Sequence, residues 1–354
     1  MENEILFSII VPVYNTEKYI TKCLKSIKDA IDLDCEVIII NDGSTDNSEK
    51  LIKEFIEQLP NEYKNNFKYK YKENKGLADT KNVGISMANG QYISVIDSDD
   101  YISDDFYEIA RKYIKTGYEI IIYDLYVIFE NEKFVNYVAR ASRDDKKDFK
   151  TSIITGAMQG SSCNKIIKSS LYKPYKFPTN KQYEDTAVTP FILMDTEKIK
   201  YVPYPLYYYV QREKSIVATN TLISAFYKIC ENISNELKNR KNFEKYNKII
   251  NEFFIERFLK TLTDDYRENR KEFGERIEHF REDNLDTINY ILESNMIFNV
   301  ENMYTDRQKT MVQQIYNNIK EKKYDEVKKI IFARRAVNFI RDKIGKIKTV
   351  NRSI

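Results

Sequence analysis

The first hundred residues switch repeatedly between two hydrophobic periods, and this constrains the fold more than any bulk property of the chain. Phe7 to Tyr14 (FSIIVPVY) is an almost unbroken apolar, β-branched run, fit for a strand buried on both faces. Ile20, Cys23, Leu24, Ile27 and Ile31 then recur at helical spacing, with Thr16 placed to cap the helix. Glu36 to Ile40 predicts a second strand, and Asp46 followed by Glu49 predicts a capping box for a helix from about Ser48 to Gln58. A short strand at Phe67 to Lys72, a helix at Leu77 to Ala88 and a strand at Tyr92 to Ile96 continue the alternation. Such order implies a parallel sheet covered by helices on both faces. Polar residues cluster just past the strand ends, where open α/β sheets bind ligands.

Beyond Asp104 the pattern loosens. A helix over Phe106 to Lys115 leads to a strand at Tyr118 to Phe129, paired with Lys133 to Ala139, and Arg140 to Lys150 reads as a loop. Residues 151–218 read as short helices broken by turns at Pro174, Pro178, Pro203 and Pro205. From about Leu222 there is no proline, and amphipathic segments follow at Ile223 to Leu237, Tyr246 to Leu262, Ile288 to Phe298 and Met311 to Ile319. The expected organisation is an α/β domain over 1–220, in halves 1–103 and 104–220, and a helical domain over 221–354.

Scarce residues exclude several chemistries. The one histidine, His279, lies in a charge run, so HExxH zinc sites and His-clustered metals are impossible. None of the nine glycines stand one residue apart, which excludes GxGxxG, and no pair has the Walker A spacing. The four cysteines form no CxxC and read as reduced thiols. The acidic start carries no secretory signal, and apolar runs are too short to span a bilayer, so a cytoplasmic chain is expected. Residues 320–354 hold 12 Lys/Arg against 4 Asp/Glu, whereas the preceding 319 residues hold 45 against 50. A basic tail on an acidic body argues against nucleic acid as partner and for one local basic surface.

Three carboxylate sites carry chemistry. Asp42 ends the second strand in a DGS turn, where it either forms a plain Asx turn or accepts from a bound base's N–H. Asp97, Asp99 and Asp100 follow the fourth strand. Crowded acids are costly unless a cation offsets them, and all-oxygen ligands suit Mg²⁺ or Mn²⁺. Glu184-Asp185 precedes an apolar helical stretch, and reads as either a general base pair or acids favoured by a helix dipole.

These strings in this order resemble family 2 of the inverting glycosyltransferases with the GT-A fold, of bacterial surface-polysaccharide type. They are Ser8 to Asn15 (SIIVPVYN), Ile38 to Asp46 (IIINDGSTD), Asn74 to Leu77 with Asn82 to Gly84, and Asp97 to Asp100 (DSDD). Cys163-Asn164-Lys165, Tyr183 to Thr186 (YEDT) and Tyr207 to Arg212 (YYYVQR) with Ser215 continue the set. The resemblance implies a Rossmann-like, mainly parallel nucleotide-binding sheet and transfer of a sugar from a nucleotide-sugar donor, with UDP the expected nucleotide. It implies that Pro12 and Tyr14 line the base pocket, Asp42 accepts from the uracil ring N–H, and Asn74 helps fix the base. Asp97 would hold the ribose, and Asp99 would bind the Mn²⁺ or Mg²⁺ that bridges the diphosphate. Lys81 and Arg212, with Ser215, would neutralise the leaving diphosphate. Asp185, beside Glu184, would take the proton of the attacking acceptor hydroxyl. The acceptor implied is a growing surface glycan, lipid-linked in this reading.

Two departures stand out. Lys81 replaces the arginine common in the family, which turns a bidentate contact into a point charge. Pro190 follows Asp185 by five residues, so a helix there should start near the proline rather than at the acid. In the tail, Ile330, Ala333, Val337, Ile340, Ile344 and Ile347 form a stripe. Three readings stand for it: packing on its own domain, a coiled coil within a homo-oligomer, or an amphipathic helix docked on anionic membrane. A catalytically silent scaffold and a sugar nucleotidyltransferase are the rival functions, the latter lacking its Gly-rich N-terminal loop here.

Overall fold

The computed structural model describes residues 4–130, 137–139, 161–179, 184–211, 306–331 and 333. The chain divides into two compact units, Met1–Asn220 and Thr221–Ile354. In the first, the described strands are β1 (Phe7–Val13), β2 (Cys35–Asp42), β3 (Phe67–Lys72), β4 (Tyr92–Val95), β5 (Tyr101–Ile102), β6 (Ile120–Phe129), β7 (Tyr137–Ala139), β8 (Lys165–Lys168) and β9 (Ile199–Gln211). They form one sheet in the order β3-β2-β1-β4-β8-β6-β9-β5, with β7 paired to β6. Helices α1 (Ile20–Ala30), α2 (Ser48–Gln58), α3 (Asn61–Lys64), α4 (Leu77–Met87) and α5 (Phe106–Ile114) connect the first six strands.

Both faces of the central strands are covered, as the apolar runs require. Every residue of β1 is buried. Ile9 and Val11 join a core with Ile20, Cys23, Leu24 and Ile27 of α1. On the other face, a Cβ on Gly84 of α4 would stand 2.4 Å from Ile10 Cγ2, so only glycine lets this helix lie so close to the sheet.

The order β3-β2-β1-β4 is parallel throughout, as expected. Beyond β4 the sheet becomes mixed: β8 is antiparallel to both β4 and β6, while β6 and β9 run parallel. Residues 151–218 were expected as helices and turns, but β8 and the 13-residue β9 lie there. Pro203 and Pro205 suggested turns. Instead the β6–β9 register slips at Asp124, so that Val202 faces Tyr123 and Pro205 faces Asp124. Pro203 and Tyr204 are thereby left out of the ladder and exposed, which is how the strand tolerates a residue without an N–H.

Two caps differ from expectation. The Thr16 carbonyl accepts from Tyr19 and Ile20, while its side chain bonds elsewhere. Asp46 forms an Asx turn with Ser48 N–H at 2.9 Å instead of a full capping box, because its other oxygen is used by the Glu17 N–H. In the second unit, helix Asp306–Lys320 ends with Lys322 at φ 57°, Lys323 N–H bonding Asn318 and Lys322 N–H bonding Ile319. Ile315, Ile319, Val327 and Ile331 are buried there, whereas Ala333 of the expected stripe is exposed. The rest of the predicted helical domain, His279 and residues 334–354 lie outside the described residues. Among the described residues, no helix is long and apolar enough to cross a membrane.

Candidate active site

From β1 the chain winds outward through β2 to β3, then returns to β4 on the other side of β1. The ends of β1 and β4 therefore flank a topological switch point, and the loops leaving them face each other across it. Thr16 Oγ1 donates to Ser98 Oγ at 3.1 Å, joining the two loops directly. The loop after β1 is tied as closely to the loop after β2. Asn15 N–H donates to Ser44 Oγ at 3.1 Å, Thr45 N–H to Asn15 Oδ1 at 2.8 Å, and Thr16 N–H to Ser48 Oγ at 2.9 Å. Glu17 N–H donates to Asp46 Oδ2 and Asn47 N–H to Glu17 Oε2, each at 3.0 Å. These bonds hold Asn15 at φ 51°. Pro12 is buried at the end of β1, and the Tyr14 ring is exposed beside it.

Asp42 is buried, and its carboxylate organises the segment that contains Asn74. Lys75 N–H reaches Oδ1 and Gly76 N–H reaches Oδ2, both at 2.9 Å, and the Lys72 ammonium also pairs with Oδ1. Lys72 is shared with Asp79 at 2.9 Å. Gly43, at φ 70°, lets Asn74 approach so closely that a Cβ would stand 2.9 Å from its nitrogen. The Asx turn expected at Asp42 is not formed by it, because Ser44 N–H bonds Asn41 Oδ1 at 2.9 Å; Asp42 instead holds the 75–76 backbone and keeps acceptor capacity on Oδ2.

The Asp97–Asp100 turn sits under a tyrosine from β9. Asp100 N–H closes the turn on the Asp97 carbonyl at 3.0 Å. Tyr207 donates to Asp100 Oδ2 at 2.7 Å and accepts Asp97 N–H at 3.1 Å, and Val210 N–H reaches Asp100 Oδ1 at 2.8 Å. Burial pushes the Asp97 carboxyl up to about 7; Lys81 opposes this, and Asp99, Asp185 and Glu184 add to it. Burial likewise holds Asp100 well above the usual range, reinforced by Asp99 and Asp97. The region is rich in negative charge and wants a cation. Among the described residues no three His, Cys, Asp or Glu side chains are grouped to hold a metal alone. Half-buried Asp97 and Asp99 offer hard oxygen donors instead. That set fits a Mg²⁺- or Mn²⁺-type ion which takes its remaining ligands from water and phosphate.

Glu184 and Asp185 open a 3-10 turn, Glu184–Ala187, and the α-helix begins only at Thr189–Met194, with Pro190 in its first turn as expected. Lys81 of α4 crosses to them. Its side chain is buried, and Nζ lies 2.9 Å from Glu184 Oε1 and 2.6 Å from Asp185 Oδ1. Burial would lower the Lys81 pKa, but Asp185, Glu184 and Asp97 outweigh it and the net shift is upward. In this structure the ammonium pairs with the two acids. Asp185 Oδ2 accepts from Ser162 N–H at 3.0 Å and Ser162 Oγ at 2.9 Å. Asp97, Lys81, Glu184 and Asp185 therefore make one electrostatic cluster.

Arg212 and Ser215 lie outside the described residues. Sequence reasoning missed Ser162 and Tyr207 as site residues. The CNK and YYYVQR strings marked their neighbourhood, but only the folded sheet relates them to Asp185 and Asp100.

A parallel half-sheet with acid-bearing strand ends, continued by a mixed half that delivers a second carboxylate pair, defines a GT-A glycosyltransferase domain. Residues 8–175 match the model of the family described as Glycosyl transferase family 2. Over those residues the chain is similar to that family, and it is a glycosyltransferase. EpsH of Bacillus subtilis strain 168 is 29% identical over 258 residues, covering 70% of this chain and 74% of EpsH. The glycosyltransferase GlyG of Streptococcus pneumoniae serotype 4 is 29% identical over 233 residues, covering 60% of this chain and 73% of GlyG. In fold, the chain is similar to S. aureus TarS 1–349, solved in complex with UDP-GlcNAc. The TM-score is 0.69 at 20% identity, over 94% of this chain and 92% of that one.

Proposed function

We propose that this enzyme transfers a sugar, with inversion and with a divalent metal, from a UDP-sugar to a hydroxyl of a growing bacterial surface glycan. One observation carries the reading: Lys81, on a helix of the nucleotide half, binds both acids of the 184–185 pair while feeling the field of Asp97. A carboxylate suited to a general base thus stands next to the acids suited to a nucleotide-bound cation. The UDP-GlcNAc complex of the similarly folded TarS supports the donor class. A similarly folded mannosyltransferase of Pyrobaculum calidifontis, with a TM-score of 0.51, is solved in complex with GDP-Man and Mn²⁺, which supports a divalent metal in the reading.

Pro12 and Tyr14 would flank the base, with Asp42 accepting its ring N–H on the free side of Oδ2 and Asn74 beside it. Asp97 and Asp99 would face the ribose and the diphosphate. A bound Mg²⁺ or Mn²⁺ at Asp99 would stabilise the negative charge of the departing diphosphate. In one displacement, the acceptor oxygen forms its bond to the anomeric carbon as the bond from that carbon to the diphosphate oxygen breaks. The electron pair leaves on the diphosphate, and the acceptor proton passes to Asp185. Arg212 and Ser215 remain candidates on the leaving-group side. A lipid-linked acceptor would fit a basic tail at an anionic leaflet, with Lys and Arg each contributing about 1 kcal/mol near such a surface.

A thermal-shift panel of UDP-glucose, UDP-galactose and UDP-GlcNAc with Mn²⁺ tests the donor reading. A donor at about 100 Kd should stabilise the fold by about 2.7 kcal/mol. No shift with UDP or any of the three sugars would sink it. For the tail, deleting 334–354 should release the protein from phosphatidylserine vesicles; salt-insensitive retention would refute membrane docking.

A further inference from the structure

We infer that Ser162 is a positioning residue for Asp185, acting with Lys81 to leave the carboxylate one open acceptor direction, on Oδ1, where the acceptor hydroxyl binds. The inference rests on the reading of Asp185 as general base and adds how that base is aimed.

A carboxylate offers about four acceptor directions. Among the described residues, three of those on Asp185 are occupied. Ser162 N–H and Oγ take both directions on Oδ2, and Lys81 Nζ takes one on Oδ1. Free rotation of the carboxylate would break all three bonds, so the remaining lone pair points one way. Lys81 is also fixed from its other side, by Glu184 at 2.9 Å, and its ammonium lies 5.5 Å from the Phe177 ring centroid.

Ser162 is itself held rigidly. It is 2% exposed, in a turn just before β8. The buried Lys165 ammonium of β8 donates to the Ser161 carbonyl and to Asn164 Oδ1, both at 2.6 Å, pinning both ends of that turn. Tyr123 of β6 donates to the Cys163 carbonyl at 2.7 Å. The sheet beyond residue 104 thus grips one oxygen of the base, and α4, through Lys81, grips the other. Both oxygens must be held for the base to present one defined lone pair to an incoming hydroxyl.

The test uses the full chain with Mn²⁺ and whichever of UDP-glucose, UDP-galactose or UDP-GlcNAc stabilises it most, following UDP release with water as the nucleophile. Ser162→Ala keeps the backbone donor and loses the hydroxyl. It should lower kcat about tenfold to hundredfold, as for the loss of a hydrogen bond to a charged group, with donor KM within about twofold of wild type. Ser162→Thr should restore most of the rate. In an Asp185→Asn background, Ser162→Ala should change kcat by less than about twofold, because the group being aimed no longer accepts the proton. Wild-type kcat in Ser162→Ala, a change confined to KM, or equal losses in both backgrounds would overturn the proposal. Lys81→Arg, which keeps a cation between the two acids, provides a second variant: it should lower kcat at unchanged KM, and a loss of donor affinity instead would place Lys81 at the diphosphate and overturn the clamp. Asp185→Asn alone tests the base itself, so its failure and that of the clamp are told apart.

Discussion

The phenol of Tyr207, on β9, serves two members of the acidic turn at once: it donates to Asp100 Oδ2 at 2.7 Å and accepts the Asp97 N–H at 3.1 Å. A residue 107 positions away in sequence thereby sets the shape of the turn that ends β4. Tyr207→Phe would leave a buried carboxylate oxygen short of a donor and a backbone N–H unpaired. The expected cost is about 1–3 kcal/mol in urea unfolding, together with weaker metal-dependent UDP binding in calorimetry. An unfolding midpoint equal to wild type would show that another donor compensates.

Asp99→Ala should abolish the part of UDP binding that a chelator removes, while circular dichroism and melting remain near wild type. Asp99 is only half-buried, so the truncation leaves no large cavity. Equal UDP affinity with and without chelator in the wild-type protein would reject the metal assignment outright.

Asp185→Asn should leave donor affinity nearly unchanged and lower turnover by about two to four orders of magnitude, the usual scale of a lost general base. Asparagine keeps the size but removes one of the two charges paired with the buried Lys81, so a stability loss of up to about 3–5 kcal/mol is expected alongside, and turnover is compared where circular dichroism shows both proteins folded.

The raised Asp97 carboxyl makes a pH prediction. Unfolded, it titrates near 3.8; folded without metal, near 7. Between these values the native state holds the extra proton, so the stability of the metal-free protein should decline as pH rises from about 4 to 7. Asp100 shifts in the same direction. Urea midpoints at pH 5 and 7.5 measure the slope, and Asp97→Asn should flatten it. Mn²⁺ with UDP should stabilise more at pH 7.5 than at pH 5, because the cation favours the ionised acids. The opposite pH trend would contradict the electrostatic account of the cluster.

Periodicity explains which parts of this architecture could be read without coordinates. β1, β2 and β4 are built around largely apolar, β-branched runs, and in α1 the residues Ile20, Cys23, Leu24 and Ile27 declare the buried face locally. The strands from β5 onward do not. β5 is two residues long, and β9 carries two prolines whose effect is absorbed by a register slip opposite Asp124, information held by the partner strand. The acids of the site were visible because carboxylates at strand ends are unusual in themselves. Their partners were not. Ser162 is an ordinary serine until folding brings it to Asp185, 23 residues on, and the string around Lys81 reveals the residue but not which charge it faces. Local pattern specifies an element, whereas the choice among competing anions for one ammonium is made by tertiary geometry.

The reciprocal ties between the loop at 14–17 and the loop at 44–48 have a consequence for altering which donor this enzyme accepts. Asn15, Thr16 and Glu17 each bond a specific partner among Ser44, Thr45, Asp46, Asn47 and Ser48. The two segments behave as a single inherited part. Grafting one of them from a relative would strand several backbone N–H groups opposite mismatched side chains, whatever the merit of the new residues toward the nucleotide. A chimera that exchanges both segments together keeps those partners matched, so donor preference in this scaffold should be transferable as a two-loop cassette and resist transfer one loop at a time.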